Sequence, residues 1–220
     1  IHDDERLLGV VYTALTGKGA EAAIDLFAPL VADALSALEA NVKNPSAEHV
    51  AMYKIGSGGL RDSRLVRGIV VQRRVLMDTL PNDLKEAPTA VIGGDMKIRK
   101  MTRSAEIQIT SADQMDGFIS AENERKKALA AALIESGAKL VLCGGEIDRD
   151  ILHRLTDEGI LAVGELDESE LHNAAESTGA TIIDSILDIG ADDLGLAGSV
   201  HWERRQSSDQ VEDIITIDDC

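Results

Sequence analysis

Residues 139–184 read KLVLCGGEIDRDILHRLTDEGILAVGELDESELHNAAESTGATIID. Residues 139–143 form a short apolar run closed by the Gly144-Gly145 turn, the length and composition of a buried strand. A helix follows over 148–158, with Ile147, Ile151 and Leu155 spaced along one face, and Gly159 ends it. Residues 160–163 are a second apolar run. A second helix over 168–178 stops at Gly179, and 181–184 is a third strand-like run. Strand and helix alternate, which predicts an α/β layer: a sheet flanked by helices.

Working outward, Ser111-Ala112-Asp113-Gln114 has the form of a helix start, and the spacing predicts a long helix over 112–136 stopped by Gly137. The tail predicts two strands, 199–205 and 211–217, joined by a polar turn at 206–209. Before the long helix, strands are expected at 65–71, 89–92 and 105–109, with a weaker extended segment at 75–80. Pro81 and Pro88 bracket an expected loop. The first sixty residues differ in character. Apolar residues at helical spacing fill 5–15 and 20–40, the second stretch carrying Pro29, which predicts a kink or a late start. Asn44-Pro45-Ser46 marks a turn, and 50–55 reads as a short strand. Gly56-Ser57-Gly58-Gly59 then frees the backbone from side-chain restraint, so Gly56, Gly58 and Gly59 are read as a domain hinge.

The 220 residues are 44% hydrophobic but only 2% aromatic, so a core of Leu, Ile, Val and Ala is expected. No apolar stretch approaches the ~20 residues that a membrane span needs. The chain opens at Ile1 rather than Met, and 1–6 are polar and charged, so this reads as a piece of a longer chain with no signal peptide. With 39 acidic against 22 basic residues the net charge is −17, which argues against nucleic acid as a partner. Cys143 and Cys220 form no CxxC or paired framework; buried thiols in a reducing cytoplasm fit them.

Motifs for chemistry are incomplete. Thr16-Gly17-Lys18-Gly19 has Gly19 where a phosphate loop carries a magnesium-binding hydroxyl, and no strand precedes it, so it reads as a turn interrupting helices. The glycine run at 56–59 lacks the spacing of a dinucleotide site. The five histidines form no ligand pair, the carboxylates no specific acid–base pair, and no nucleophile elbow is present. Met96, Met101, Met115, Phe118 and Ile119 lie in an otherwise polar segment; they are either ordinary core or a surface for promiscuous apolar contact.

The ordered set 15–21 (LTGKGAE), the glycine run with Asp62, Ser63 and Leu65, 68–71 (GIVV), 105–110 (AEIQIT), Gly137-Ala138, 145–148 (GEID), His153, 159–163 (GILAV), 178–180 (TGA), 193–195 (DLG) and Asp219-Cys220 resembles group II (archaeal-type) chaperonins, the thermosome and TCP-1 family. The likeness covers nearly the whole chain. It implies part of an α-rich intermediate domain at 1–62 and an apical substrate-binding domain at 63–220. The long segment between Ile92 and Lys139 resembles the helical protrusion, a built-in lid at about 93–136, that bacterial chaperonins lack. The implied function is binding of unfolded polypeptide and closure over it in an ATP-dependent folding cycle.

Several roles follow from that resemblance alone. Lys18, with Thr16 and Gly17, takes the place of the segment that senses nucleotide. Arg149, His153 and Thr156 face clients, while Met96, Met101, Met115, Phe118 and Ile119 make the apolar contacts of the lid. The implied partners are unfolded clients and other subunits of a double ring in the cytoplasm, with no nucleic acid and no membrane. ATP and Mg belong to the full-length protein. This chain holds no catalytic residue and no metal site, and is expected to bind no cofactor and turn over nothing alone. Two departures are notable: acidic 164–168 (GELDE) stands where basic residues are common, and Asp150 and Arg154 stand where apolar or aromatic residues are usual. Both suggest a divergent paralogue within a multi-subunit set. The competing reading is a small α/β enzyme or binding domain that holds a phosphorylated ligand at its Gly-rich turns.

Abundant Asp and scarce Lys also suit a molar-salt cytoplasm, where counterions screen the self-repulsion of a dense acidic surface. A haloarchaeal origin is therefore expected; the competing reading is an ordinary acidic protein. In a KCl series the melting temperature should rise steeply from low to molar salt; equal stability at both ends would contradict the reading.

Overall fold

The computed structural model describes residues 4–19, 21–41, 46, 49–56, 58–75, 82–97, 112–206 and 211–219, with the backbone alone for 112–116. The chain divides into two compact units, 1–67 and 68–220.

The first unit is helical. Helix α1 (Asp4–Leu15) and helix α2 (Ile24–Asn41) flank a tight turn and a single 3-10 turn at Glu21–Ala23. Leu7 and Val11 of α1 and Ala28 of α2 are buried between them, and the Tyr12 hydroxyl donates to the Asp25 carboxylate at 3.1 Å. Pro29 lies inside α2 and cannot donate a backbone hydrogen bond. The late start at Ile24 puts that missing bond in the second turn, near the end. Residues 50–55 form no strand. Met52 stands 94% exposed.

The second unit is built on one sheet in the order β1-β7-β6-β2-β3-β4, with β5 also paired to β2. The strands are β1 (Gly68–Val71), β2 (Asp83–Ile92), β3 (Leu140–Cys143), β4 (Leu161–Val163), β5 (Ile182–Ile183), β6 (Gly195–Gln206) and β7 (Val211–Asp218). Strands β3, β4 and β5 run parallel to their neighbours, whereas β1, β7, β6 and β2 form an antiparallel ladder. Helices α3 (Ala112–Ser136), α4 (Arg149–Asp157) and α5 (Glu168–Thr178) connect the parallel half.

Strand β2 is longer than expected and contains Pro88, where the sequence predicts a loop boundary. The Pro88 carbonyl accepts from the Lys139 N–H, so its backbone faces β3. The β3 ladder begins one residue later, with Thr89 opposite Leu140, so the absent proline N–H breaks no sheet bond. The expected strand at 105–109 and most of the extended segment at 75–80 lie outside the described residues.

Alternation along the parallel strands feeds two cores. Leu140, Leu142, Leu161 and Val163 join Leu171 and Ala174 of α5 on one face, together with Trp202, Ile215 and Ile217 of the antiparallel half. Val141, Cys143 and Ala162 join Ala130 and Leu133 of α3 and Ile151 and Leu155 of α4 on the other. Each fully buried Leu or Ile contributes about 1.5–3 kcal/mol. The close packing has local demands. A Cβ on Gly68 would stand 2.2 Å from the Ile217 carbonyl oxygen, so β1 can reach its register only with glycine there. Gly137 ends α3 at φ +86, a conformation that suits glycine.

Two polar ties close the fold around α5. Arg73, just after β1, donates to the Glu165 carbonyl at 2.9 Å and to the Glu170 carboxylate at 2.7 Å. Glu170 also completes the capping box of α5, accepting from the Asp167 N–H while the Asp167 carboxylate accepts from the Glu170 N–H. On the opposite flank, the buried Asp213 carboxylate takes two hydrogen bonds from Arg204, at 2.7 and 2.8 Å, and one from the Val75 N–H at 2.8 Å. Burial alone would raise this carboxyl. The hydrogen bonds from Arg204 and Val75 and the charges of Arg204 and Arg74 outweigh it and hold the group below its ordinary value. The folded state therefore binds this proton less readily than the unfolded chain. The resulting stability is fully present above pH ~4, the range of an unfolded Asp, and is lost as pH falls through the depressed native value. Asp213→Asn should destabilise the chain by about 2–3 kcal/mol in urea unfolding at neutral pH, and should flatten the acid limb of the stability profile.

Candidate functional site

Helix α4 begins at a capped end. The Asp148 carboxylate accepts from the Asp150 N–H at 2.9 Å, satisfying a donor that the helix cannot satisfy itself. Ile151, Leu152 and Leu155 are buried against the sheet, and Ile147 packs half-buried beside them. The opposite face is left to Arg149, Asp150, His153, Arg154 and Asp157, all exposed. Arg149 and His153 thus stand on the outer face, as their spacing against the apolar stripe implies. Thr156 stands apart: it is half-buried, and its hydroxyl donates to the Leu152 carbonyl at 2.8 Å. Asp150, Arg154 and Asp157 belong to the exposed face without having been singled out as site residues. The helical wheel of 149, 150, 153, 154 and 157 is the signal that identifies them. The face is polar and of mixed charge, suited to weak and varied contacts.

Helix α3 changes character along its length. From Leu129 onward it packs into the core through Ala130 and Leu133. Toward its start, residues 117–121 and 123–125 are exposed, including Phe118 at 58% and Ile119 at 49%. Among the described residues Phe118 and Ile119 join neither core, and large apolar side chains placed so are candidate contact points for another polypeptide. Met96 does not join them. It is fully buried, its N–H donates to the Glu146 carbonyl and its carbonyl accepts from the Asp148 N–H, both at 2.9 Å. The expected lid contact at Met96 is corrected to a core residue: its strand-like bridge to Ile147 draws the side chain under α4. Met101 and the Met115 side chain lie outside the described residues.

The glycine-rich turns are occupied by the protein's own groups. Thr16, Gly17, Lys18 and Gly19 end α1 as a turn. The Thr16 hydroxyl donates to the Tyr12 carbonyl at 2.8 Å, and Lys18 is exposed. At the expected hinge, Gly56 and Gly58 are exposed, and the Gly59 N–H donates to the Asp62 carboxylate at 2.7 Å. The Gly59 N–H is thus already engaged by a carboxylate of the chain itself. These glycines lie inside the first unit, whose boundary falls after Arg67. At the carboxyl ends of the parallel strands, Gly93 and Gly144 line a shallow crevice of about 370 Å³ with Leu166, Leu171 and His172. Their N–H groups donate to the Ile183 and Ile92 carbonyls, within the sheet. Among the described residues no His, Cys, Asp and Glu side chains are grouped to hold a metal ion, and no helix is long and apolar enough to cross a membrane.

The model of the TCP-1/cpn60 chaperonin family matches residues 1–220. Thermosome subunit 1 of Haloferax volcanii is 36% identical over 198 residues, covering 90% of this chain and 35% of that subunit. A thermosome subunit of Pyrococcus horikoshii is 33% identical over 222 residues, covering 99% and 40%. The chain therefore spans about two fifths of the length of these curated relatives. In three dimensions it matches the open-state monomer of a group II chaperonin from Methanococcoides burtonii with a TM-score of 0.70 and 23% identity, covering all of this chain and 48% of that one. With a family model matched from the first residue to the last, the chain belongs to the TCP-1/cpn60 chaperonin family.

Proposed function

We propose that this chain is the gripping part of a group II chaperonin subunit: an apical domain that binds unfolded polypeptide, joined to part of the intermediate domain. The observation that carries the reading is the exposed half of α3, a helical arm presenting Phe118 and Ile119, on the same unit as the polar outer face of α4. The arm supplies apolar contact and forms the lid. The α4 face, with Arg149 and His153, supplies weak mixed contacts that suit many clients. Thr156 is a lesser contributor, since its hydroxyl is already engaged.

In the whole protein this unit works with other subunits of a double ring in the cytoplasm. ATP and Mg act in parts of the subunit beyond this stretch. Lys18, exposed at the end of α1, is the group that answers to the nucleotide's terminal phosphate, with Thr16 and Gly17 shaping its turn. The first unit is the intermediate-domain part, and Gly56, Gly58 and Gly59 supply backbone freedom close to its boundary. The acidic composition suits a salt-rich cytoplasm.

The reading is tested by mixing the chain, without nucleotide, with a chemically unfolded protein and following light scattering. The wild-type chain should suppress aggregation. Phe118→Ser with Ile119→Ser removes two exposed apolar contacts of ~1 kcal/mol each and should weaken the apparent affinity about tenfold or more, with thermal stability unchanged. A deletion starting at Met96 is unsuitable because it would remove core. Full suppression by the double variant, or ATP turnover by the pure chain, would contradict the proposal.

A further inference from the structure

The base of the arm is held in an unusual way. Lys126 is the point at which α3 first meets the body, one turn before buried Ala130, and its side chain is only 11% exposed. Its ammonium contacts three carboxylates: Asp150 at 3.0 Å, Asp148 at 3.1 Å and Glu122 at 3.3 Å. Glu122 lies on the arm itself, while Asp148 and Asp150 begin α4. The carboxylates, Asp150 foremost, hold the Lys126 ammonium above its ordinary pKa, so it stays charged throughout the physiological range.

Residues 95–97 are fastened to the same place. The Met96 backbone exchanges hydrogen bonds with Glu146 and Asp148, Lys97 pairs with the Glu146 carboxylate, and the Asp95 carboxylate accepts from the Glu146 N–H. Residues 95–97 and Lys126 of α3 thus converge on residues 146–150. Asp148 does two jobs there: one carboxylate oxygen caps α4 and the other meets Lys126.

We propose that residues 146–150 are a joint that couples the direction of the arm to the start of α4, with Lys126 as its pin. The physical reason is charge balance. One cation holds three carboxylates together, and without it they repel one another across a partly buried gap. Loss of the ammonium pushes Glu122, and the arm with it, away from Asp148 and Asp150, and loosens the cap of α4 in the same movement. A shift of the arm at a client or a neighbour is thereby felt on the α4 face. The joint concerns the arm's direction and holds whether or not the arm closes as a lid.

The test needs no client. In a Cys220→Ser background, with Cys143 buried, spin labels at Ser120 on the arm and Glu176 on α5 report the arm's direction by pulsed dipolar spectroscopy, and amide exchange reports α4. Lys126→Met keeps the aliphatic stem and removes the charge. It should at least double the width of the distance distribution and speed exchange at residues 150–155 about tenfold, with circular dichroism unchanged. Lys127→Met makes the same change one residue along, at an ammonium paired with the exposed Glu124 carboxylate, and should leave both readouts at the wild-type value. Asp150→Asn, at a 59% exposed side chain, removes one partner without risk to the core and should move both readouts the same way by less. An unchanged distribution in folded Lys126→Met would overturn the pin. A loosened arm with unchanged exchange in α4 would overturn the coupling. Should Lys126→Met fail to fold, Asp150→Asn decides both points by the same readouts.

Discussion

All four side chains of β3 are buried. Leu140 and Leu142 enter one core and Val141 and Cys143 the other. A strand buried on both faces cannot stand beside water on either side, so helices must cover the sheet above and below. Helices α3 and α4 cover one face and α5 the other. That constraint dictates what is left outside: the polar wheel of α4, and the half of α3 that runs past the edge of its core. Cys143 shows how closed the interior is, since burial pushes its thiol up to about 11.

The same burial explains how a chain with so few aromatic residues holds together while the outer face of α4 stays polar. Its cohesion comes from aliphatic packing on both sides of β2, β3 and β4. The charged groups outside serve as ties and caps. Arg73 braces the start of α5, Arg204 and Asp213 brace the β6–β7 hairpin, and Lys126 braces the root of the arm. None of these ties needs an apolar face to be exposed. The outer face of α4 is therefore free to carry mixed charge, which favours brief contact with many partners over tight contact with one.

Where local signals agreed with tertiary structure, the sequence was legible. Helix α5 occupies 168–178 as expected, because Asp167, Glu170 and Gly179 give it both ends and Leu171 and Ala174 give it a buried stripe. Helix α3 runs over 112–136 as expected, stopped by Gly137. The failures have distinct causes. Pro88 looks like a strand breaker, yet it is harmless where its backbone faces a ladder that has not begun. Residues 50–55 have strand-forming composition, but 50–54 stand exposed and form no strand. Met96 sits in a polar, glycine-flanked segment that suggests exposure, and only its bridge to Ile147 reveals it as core. Lys126 reads as one charge in a run of charges; its partners Asp148 and Asp150 lie beyond an intervening strand, so no local pattern announces them.

On the proposed reading, the outer face of α4 and the exposed half of α3 together contact non-native polypeptide. Amide and methyl NMR of the chain, titrated with a permanently unfolded protein, reads both surfaces at once. Shift changes should concentrate at Arg149, His153, Arg154, Phe118 and Ile119, while the β3 core and the crevice beside Gly93 and Gly144 stay unperturbed. Perturbation confined to that crevice, or to the turn at Lys18, would contradict it.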